Sequence, residues 1–193
     1  MKHIVIVGHQ GVGKSTLVRR ILRLIGRPVY GFITKKAPPD SLGRSSVYIH
    51  DAKSKTRRHN RQNRIGICEN MKATGNPAVF DSHAHLLQNL PHDGVVLMDE
   101  LGVMEREAKT FQTAVLNALD EYPLVIAVVR DKDNDFLQSV RAHERAECFY
   151  ITPETRNELY EQIKKTLLFR EIYSVLSFRE KRKYQRKAEK GTI

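Results

Sequence analysis

His3-Ile-Val-Ile-Val-Gly-His-Gln-Gly-Val-Gly-Lys-Ser-Thr16 decides how the rest of the chain is read. A short run rich in β-branched residues predicts a strand. It is followed by Gly8-x-x-x-x-Gly13-Lys14-Ser15, and then by Leu17, Val18, Ile21, Leu22 and Ile25 at helical spacing. This is the spacing of a phosphate-binding loop in its strand–loop–helix setting. Gly8, Gly11 and Gly13 are expected to admit positive φ and close approach of phosphate oxygens. The main-chain N–H groups of Gly8, His9, Gln10, Gly11, Val12, Gly13, Lys14, Ser15 and Thr16 would form an anion cradle at the positive end of a helix. Lys14 is placed to reach the β- and γ-phosphates, and Ser15 to offer its hydroxyl to Mg²⁺.

Outward from that stretch, strands and helices alternate. Gly26 and Pro28 end the first helix, and Val29–Thr34 reads as a second strand, with Ser46–His50 able to pair back on it. Asp81 or Ser82 is expected to cap a short helix running through Leu90. The apolar runs Gly94–Met98 and Leu124–Val129 have the continuity of strands buried on both faces of a parallel sheet. Helices are expected after each, the first carrying Ala108, Phe111, Val115 and Leu119 on one side and the second spanning Asn134–His143. Cys148–Ile151 is a last short strand, and Leu159, Ile163 and Leu167 line a final helix. The whole predicts an α/β chain with a mainly parallel sheet flanked by helices.

Two segments depart from this alternation. Between Ala52 and Ile67, Lys53, Lys55, Arg57, Arg58, Arg61 and Arg64 occur with no acidic residue and little apolar periodicity, which reads as a long, mobile basic loop. Residues 170–193 hold eight Lys/Arg against three Glu and read as a basic tail, helical or disordered, attached to a domain over 1–169. The chain has 193 residues and a net charge of +11, which favours polyanionic partners: nucleotides first, and nucleic acid through the basic loop and tail. Cys68 and Cys148 are too few for a disulfide framework. No stretch approaches the ~18 apolar residues of a membrane span, and no secretory signal is apparent, so a cytoplasmic protein is expected.

A phosphate loop needs a second element to hold the metal. Val95-Val-Leu-Met-Asp99-Glu100 supplies an acidic pair at the carboxyl end of a buried strand, where α/β sheets place ligands. Asp99 suits the Mg²⁺ shell, with Ser15, and Glu100 suits a base that orients and deprotonates an attacking water. Arg44, Arg106, Arg130 and Arg156 are the arginines considered for the developing γ-phosphate charge. The nearest text to the guanine-reading [NT]-K-x-D, Arg130-Asp-Lys-Asp-Asn134, has neither the leading residue nor the aspartate in register. The Gly8–Gly13 spacing is not a dinucleotide fingerprint either. His83-x-His85 places two histidines about 200° apart on a helix, so a surface role is expected.

Taken in order, Gly8–Thr16, Gly31-Phe-Ile-Thr34 with Gly43-Arg44, Asp99-Glu-Leu-Gly-Val-Met-Glu105, Phe111, and Thr152 with Arg156 resemble one known group. It is the cancer-related and thermophile nucleoside-triphosphatase family of small P-loop proteins. The resemblance covers roughly residues 1–168 and rests most on the Asp-Glu-Leu-Gly-x-Met-Glu stretch. It implies a RecA-like fold and slow, Mg²⁺-dependent hydrolysis of ATP and other nucleoside triphosphates with weak base preference. By position it implies phosphate binding at Gly8–Thr16, the metal at Asp99 and the water at Glu100, with Arg156 near the nucleotide. The family carries a lysine where Val103 stands, and Asn-Arg where this chain has Thr155-Arg156.

The expected activity is therefore that of a nucleoside-triphosphatase, with Glu100 and Lys14 as its catalytic pair. Two alternatives use the same loop: a kinase passing the γ-phosphate to a nucleoside, a metabolite or an RNA end, and a nucleotide-switched module binding RNA or protein. A kinase would need an acceptor pocket, for which residues 30–80 are the only spare material. Oligomeric state is not legible.

Overall fold

A computed structural model describes residues 2–70 and 72–175, with side chains described to Leu168. One eight-stranded sheet carries the chain. Its strands are β1 (His3–Gly8), β2 (Val29–Lys36), β3 (Ser45–Asp51), β4 (Arg64–Glu69), β5 (Lys72–Gly75), β6 (Val95–Leu101), β7 (Val125–Arg130) and β8 (Ala146–Tyr150). Their order across the sheet is β5-β4-β3-β2-β6-β7-β1-β8. From β2 to β8 every pairing is parallel, whereas β2–β3, β3–β4 and β4–β5 are antiparallel.

Alternation along the parallel strands sends residues to two opposite cores. Ile4, Ile6, Val95, Leu97, Ile126 and Val128 pack under α1 (Lys14–Ile25) and α5 (Arg156–Val175), against Leu17, Val18, Ile21, Leu159 and Ile163. Val5, Val7, Val96, Met98, Ala127 and Val129 pack on the other face under α3 (Lys109–Glu121) and α4 (Asp135–Ala142), against Phe111, Val115, Leu119 and Leu137. Each such side chain, fully buried, contributes about 1.5–3 kcal/mol. That is why these strands read as unbroken apolar runs.

Three expectations are corrected. The basic segment is a loop only as far as Asn63: Arg64–Glu69 is β4, which pairs with β3 through Tyr48↔Arg64 and Ser45↔Cys68, and β5 extends the sheet beyond it. The β4 pattern was masked because only Ile65 and Gly66 are buried, while cations flank them. Second, the loop 52–63 is tied down by side-chain bonds. The Asn63 amide donates to the Ile49 and Arg58 carbonyls at 3.1 and 3.0 Å, and the His59 ring stacks on Tyr48 with centroids 4.1 Å apart. Third, neither Asp81 nor Ser82 caps the helix before Leu90. Asn76 does so, accepting from Val79 N with Pro77 at the first helical position, for α2 (Pro77–Ser82); a 3-10 turn (Ala84–Leu87) follows. Asp81 instead accepts from Phe111 N at 2.9 Å, satisfying a free donor at the start of α3.

The last helix continues past residue 170, as Arg156–Val175, and residues 176–193 of the expected tail lie outside the described residues. No described helix is long and apolar enough to cross a membrane.

Candidate functional site

The loop between β1 and α1 takes its shape from glycine chemistry, in two different ways. Gly11 and Gly13 adopt φ of +84° and +104°, the left-handed region a side chain disfavours. Gly8 is different. It ends β1 in ordinary strand geometry, and a Cβ there would fall 2.8 Å from the Ile151 carbonyl oxygen, so its constraint is close approach. Val12 turns inward and packs against the core under α1, anchoring the loop. His9 and Gln10 are exposed at its tip, with His9 Nε2 3.5 Å from Asp131. Thr16 opens the first turn of α1, its Oγ1 accepting from Arg19.

Lys14 is 4% exposed. A buried ammonium must be paired, and its Nζ donates to the carbonyls of Gly8 and His9 at 2.8 and 2.6 Å and lies 3.3 Å from Glu100 Oε2. Glu100 in turn is ion-paired with Arg130 Nε through its other oxygen. Its own N–H donates to Thr34 Oγ1 at 3.3 Å. The carboxylate is thus held between two cations, one from the phosphate loop and one from the end of β7.

Asp99 sits one residue earlier, level with Ile33 of β2 and Val128 of β7; the register of β6 shifts between Asp99 and Leu101, and the Asp99–Glu100 peptide is cis. Ser15 Oγ donates to Asp99 Oδ1 at 3.4 Å. Burial, and then the charge of Glu100, push the Asp99 carboxyl above its ordinary range. A desolvated carboxylate beside a hydroxyl is a donor pair of hard oxygens, which fits Mg²⁺. Among the described residues, Ser15 and Asp99 form such a pair.

Glu105 is fully buried and accepts from Gly102 N, closing the turn after β6. Burial pushes its carboxyl up to about 7. A cavity of about 250 Å³ opens beside Glu100, with Ser15, Asp99, Arg130 and Glu105 among its walls. At the opposite end of the loop, Gly13, Thr16, Arg20, Arg156 and Asn157 line a separate depression, the Arg20 guanidinium resting 3.8 Å from the Tyr160 ring.

The structure sorts the four arginines that sequence left unranked. Arg130 joins Glu100. The Arg156 Cδ lies 3.8 Å from where a Gly13 Cβ would be, so it borders the loop. Arg44 is engaged by Asp40 in an exposed pair at the tip of the β2–β3 hairpin, and Arg106 by Glu107. Sequence reasoning left Arg130 unranked among four arginines and gave Thr34 and Glu105 no role in this cluster. The available signal was positional: Thr34 and Arg130 stand at the carboxyl ends of the strands flanking Asp99. His83 and His85 bond through Nδ1 to the Val79 and Ser82 carbonyls. Among the described residues, no three His, Cys, Asp or Glu side chains cluster to hold a metal.

The sequence profile of the NTPase family matches residues 3–164. The nucleoside-triphosphatase THEP1 of Methanothermobacter thermautotrophicus is 29% identical over 173 residues, 83% of this chain and 92% of that protein. The protein of the same name from Aquifex aeolicus is 26% identical over 174 residues, covering 83% and 96%. The crystal structure of THEP1 from Aquifex aeolicus superposes with a TM-score of 0.62 at 23% identity, again over 83% of this chain and 96% of that one, a likeness of fold. With the phosphate loop, the acidic strand end and the profile agreeing over the same residues, this chain belongs to the NTPase family.

Proposed function

We propose that this protein hydrolyses nucleoside triphosphates, ATP among them, to the diphosphate and phosphate. The observation that supports this most is the placement of Glu100 between Lys14 and Arg130, one residue from Asp99 and Ser15. The triphosphate lies along the N–H groups of residues 8–16, at the positive end of α1. Lys14 exchanges its contact with Glu100 for the β- and γ-phosphate oxygens. Ser15 and Asp99 would hold Mg²⁺, which would neutralise charge on the phosphates. Glu100, released by Lys14, accepts the proton of a water aligned with the bond to be broken, and Arg130 turns to the γ-phosphate. Arg156 borders the other end of the loop, towards ribose and base. The two free thiols are in keeping with a cytosolic setting.

Phosphate release with Mg²⁺ from ATP, GTP, CTP and UTP, for the wild type and Glu100→Gln, tests the reading. Release from several nucleotides is expected, falling about 10²–10⁴-fold in the variant while nucleotide binding persists. Wild-type binding without release from any of the four would overturn it.

A further inference from the structure

The cavity beside Glu100, about 250 Å³, extends from the phosphate loop, where Gln10, Gly11 and Ser15 line it, to walls outside the loop and the acidic strand end, and those walls are of two kinds. Its polar end is the cluster around Glu100. Its far end is apolar, formed by Ile65, Phe80 and Met104. A triphosphate lying on the loop ends at Lys14 and Glu100 and leaves that apolar end uncovered. A second cavity of about 520 Å³ shares Gln10, Lys36, Cys68, Ala73 and Arg130 with the first and adds Lys132 and Asp131, whose carboxylate lies 3.5 Å from His9 Nε2. The two make one cleft: an apolar-backed chamber next to Glu100 with a cationic mouth. Its outer wall comes from β4 and β5, and the turn carrying Met104 is seated on it so closely that a Cβ on Gly75 would fall 1.9 Å from the Met104 carbonyl oxygen.

We propose that this cleft is a second ligand site, for a small hydroxyl-bearing anion that binds beside the nucleoside triphosphate with its hydroxyl at Glu100. The proposal rests on the hydrolase reading for the position of the γ-phosphate, and adds an acceptor to it. Lys36 and Lys132 meet the anionic group, the apolar wall takes the carbon body, and the hydroxyl occupies the place of the attacking water. In the transfer, the hydroxyl oxygen bonds to the γ-phosphorus and its proton passes to Glu100. The bond from phosphorus to the β–γ bridging oxygen breaks, and that oxygen leaves on the nucleoside diphosphate with the electron pair. Water and acceptor compete for one position, so transfer occurs at the expense of phosphate release.

Ribose 5-phosphate is the probe. Products from ATP and Mg²⁺ are followed by phosphorus NMR for the wild type, Lys36→Ala and Ala73→Phe. The last fills the cleft away from Ser15, Asp99 and Glu100, with its folding checked by circular dichroism. The expected result is a second phosphate ester on the sugar that rises saturably with probe while free phosphate falls. Each variant lowers transfer by at least about tenfold and keeps phosphate release without probe within about twofold. In parallel, the probe is titrated calorimetrically into protein whose phosphate loop is filled with a non-hydrolysable ATP analogue. One site is expected, weakened by both substitutions. No binding to the filled protein, or binding unchanged in both variants, overturns the cleft as a ligand site. Binding without transfer overturns the placement of the hydroxyl at Glu100. Failure of the wild type to release phosphate from ATP alone would instead count against hydrolysis, and the titration decides the cleft independently of it.

Discussion

Strands β2, β6, β7, β1 and β8 run parallel with helices on both faces, and the residues of β1 are buried from end to end. Strands β3, β4 and β5 run antiparallel away from them, and β5 alternates exposed and half-buried residues. The parallel half holds the cluster around Glu100: the loop after β1, the acidic pair ending β6, and Arg130 ending β7. The antiparallel half contributes no residue to that cluster, yet it walls the cavity beside it. Strand ends in a parallel sheet all face one way, so side chains far apart in sequence converge at one rim. A meander has no such rim, and what it offers is surface.

The sharpest way to test this division is to compare arginines. Arg130→Ala removes the second cation on Glu100 and is expected to lower phosphate release about 10- to 100-fold, by analogy with charges placed on a transferring phosphoryl group. Arg44→Ala, on the hairpin of the other half, should leave it within about twofold. Steady-state kinetics on both variants decides the matter, and equal effects would erase the distinction.

Packing offers a second comparison. Gly75→Ala forces a methyl group against the Met104 carbonyl and should destabilise the fold by about 1–3 kcal/mol, measured by urea denaturation. Ile6→Ala, in the parallel core, should cost about 2–5 kcal/mol. A Gly75→Ala variant as stable as wild type would show that the turn bearing Met104 is free of β5.

Glu105 gives a pH signature. Its carboxyl titrates near 4.5 unfolded and about 7 folded. Between those values the folded state binds more protons, so this group's contribution to stability falls as pH rises across the window and is level above it. Glu105→Gln keeps an acceptor for Gly102 and should flatten that part of the profile, as read from denaturation midpoints between pH 4.5 and 8. An unchanged slope would place the titration elsewhere.

The smallest effect is expected from the basic loop. None of its five cations lines the cavity beside Glu100. Replacing Arg57 and Arg58 together by Ser should therefore change phosphate release by less than about twofold. A larger loss would tie the loop to the site after all.

Much of the site was legible because its chemistry is local. Gly8 to Thr16 is a single turn of chain in which glycine, lysine and serine do their work within a few residues of one another. Asp99 and Glu100 follow directly on an apolar run that only a buried strand explains. The alternation of such runs with helical periodicity also exposed the parallel half of the sheet. Strands β4 and β5 were not legible, because half-buried antiparallel strands carry a weak apolar signal and here basic residues overwrite it. Capping by Asn76 rather than Asp81 turned on a backbone partner, Phe111, thirty positions away in the chain.

By itself, then, the sequence determined the phosphate loop, the acidic strand end and the α/β alternation, since each is written in neighbouring residues whose geometry hardly depends on the rest of the molecule. Only the tertiary structure decided that Arg130 and not Arg44 meets Glu100, that the Thr34 hydroxyl accepts from the Glu100 main-chain N–H, and that β4 and β5 wall a cleft beside it. Those depend on strand order and register, which bring together groups from separate segments and which no local spacing encodes.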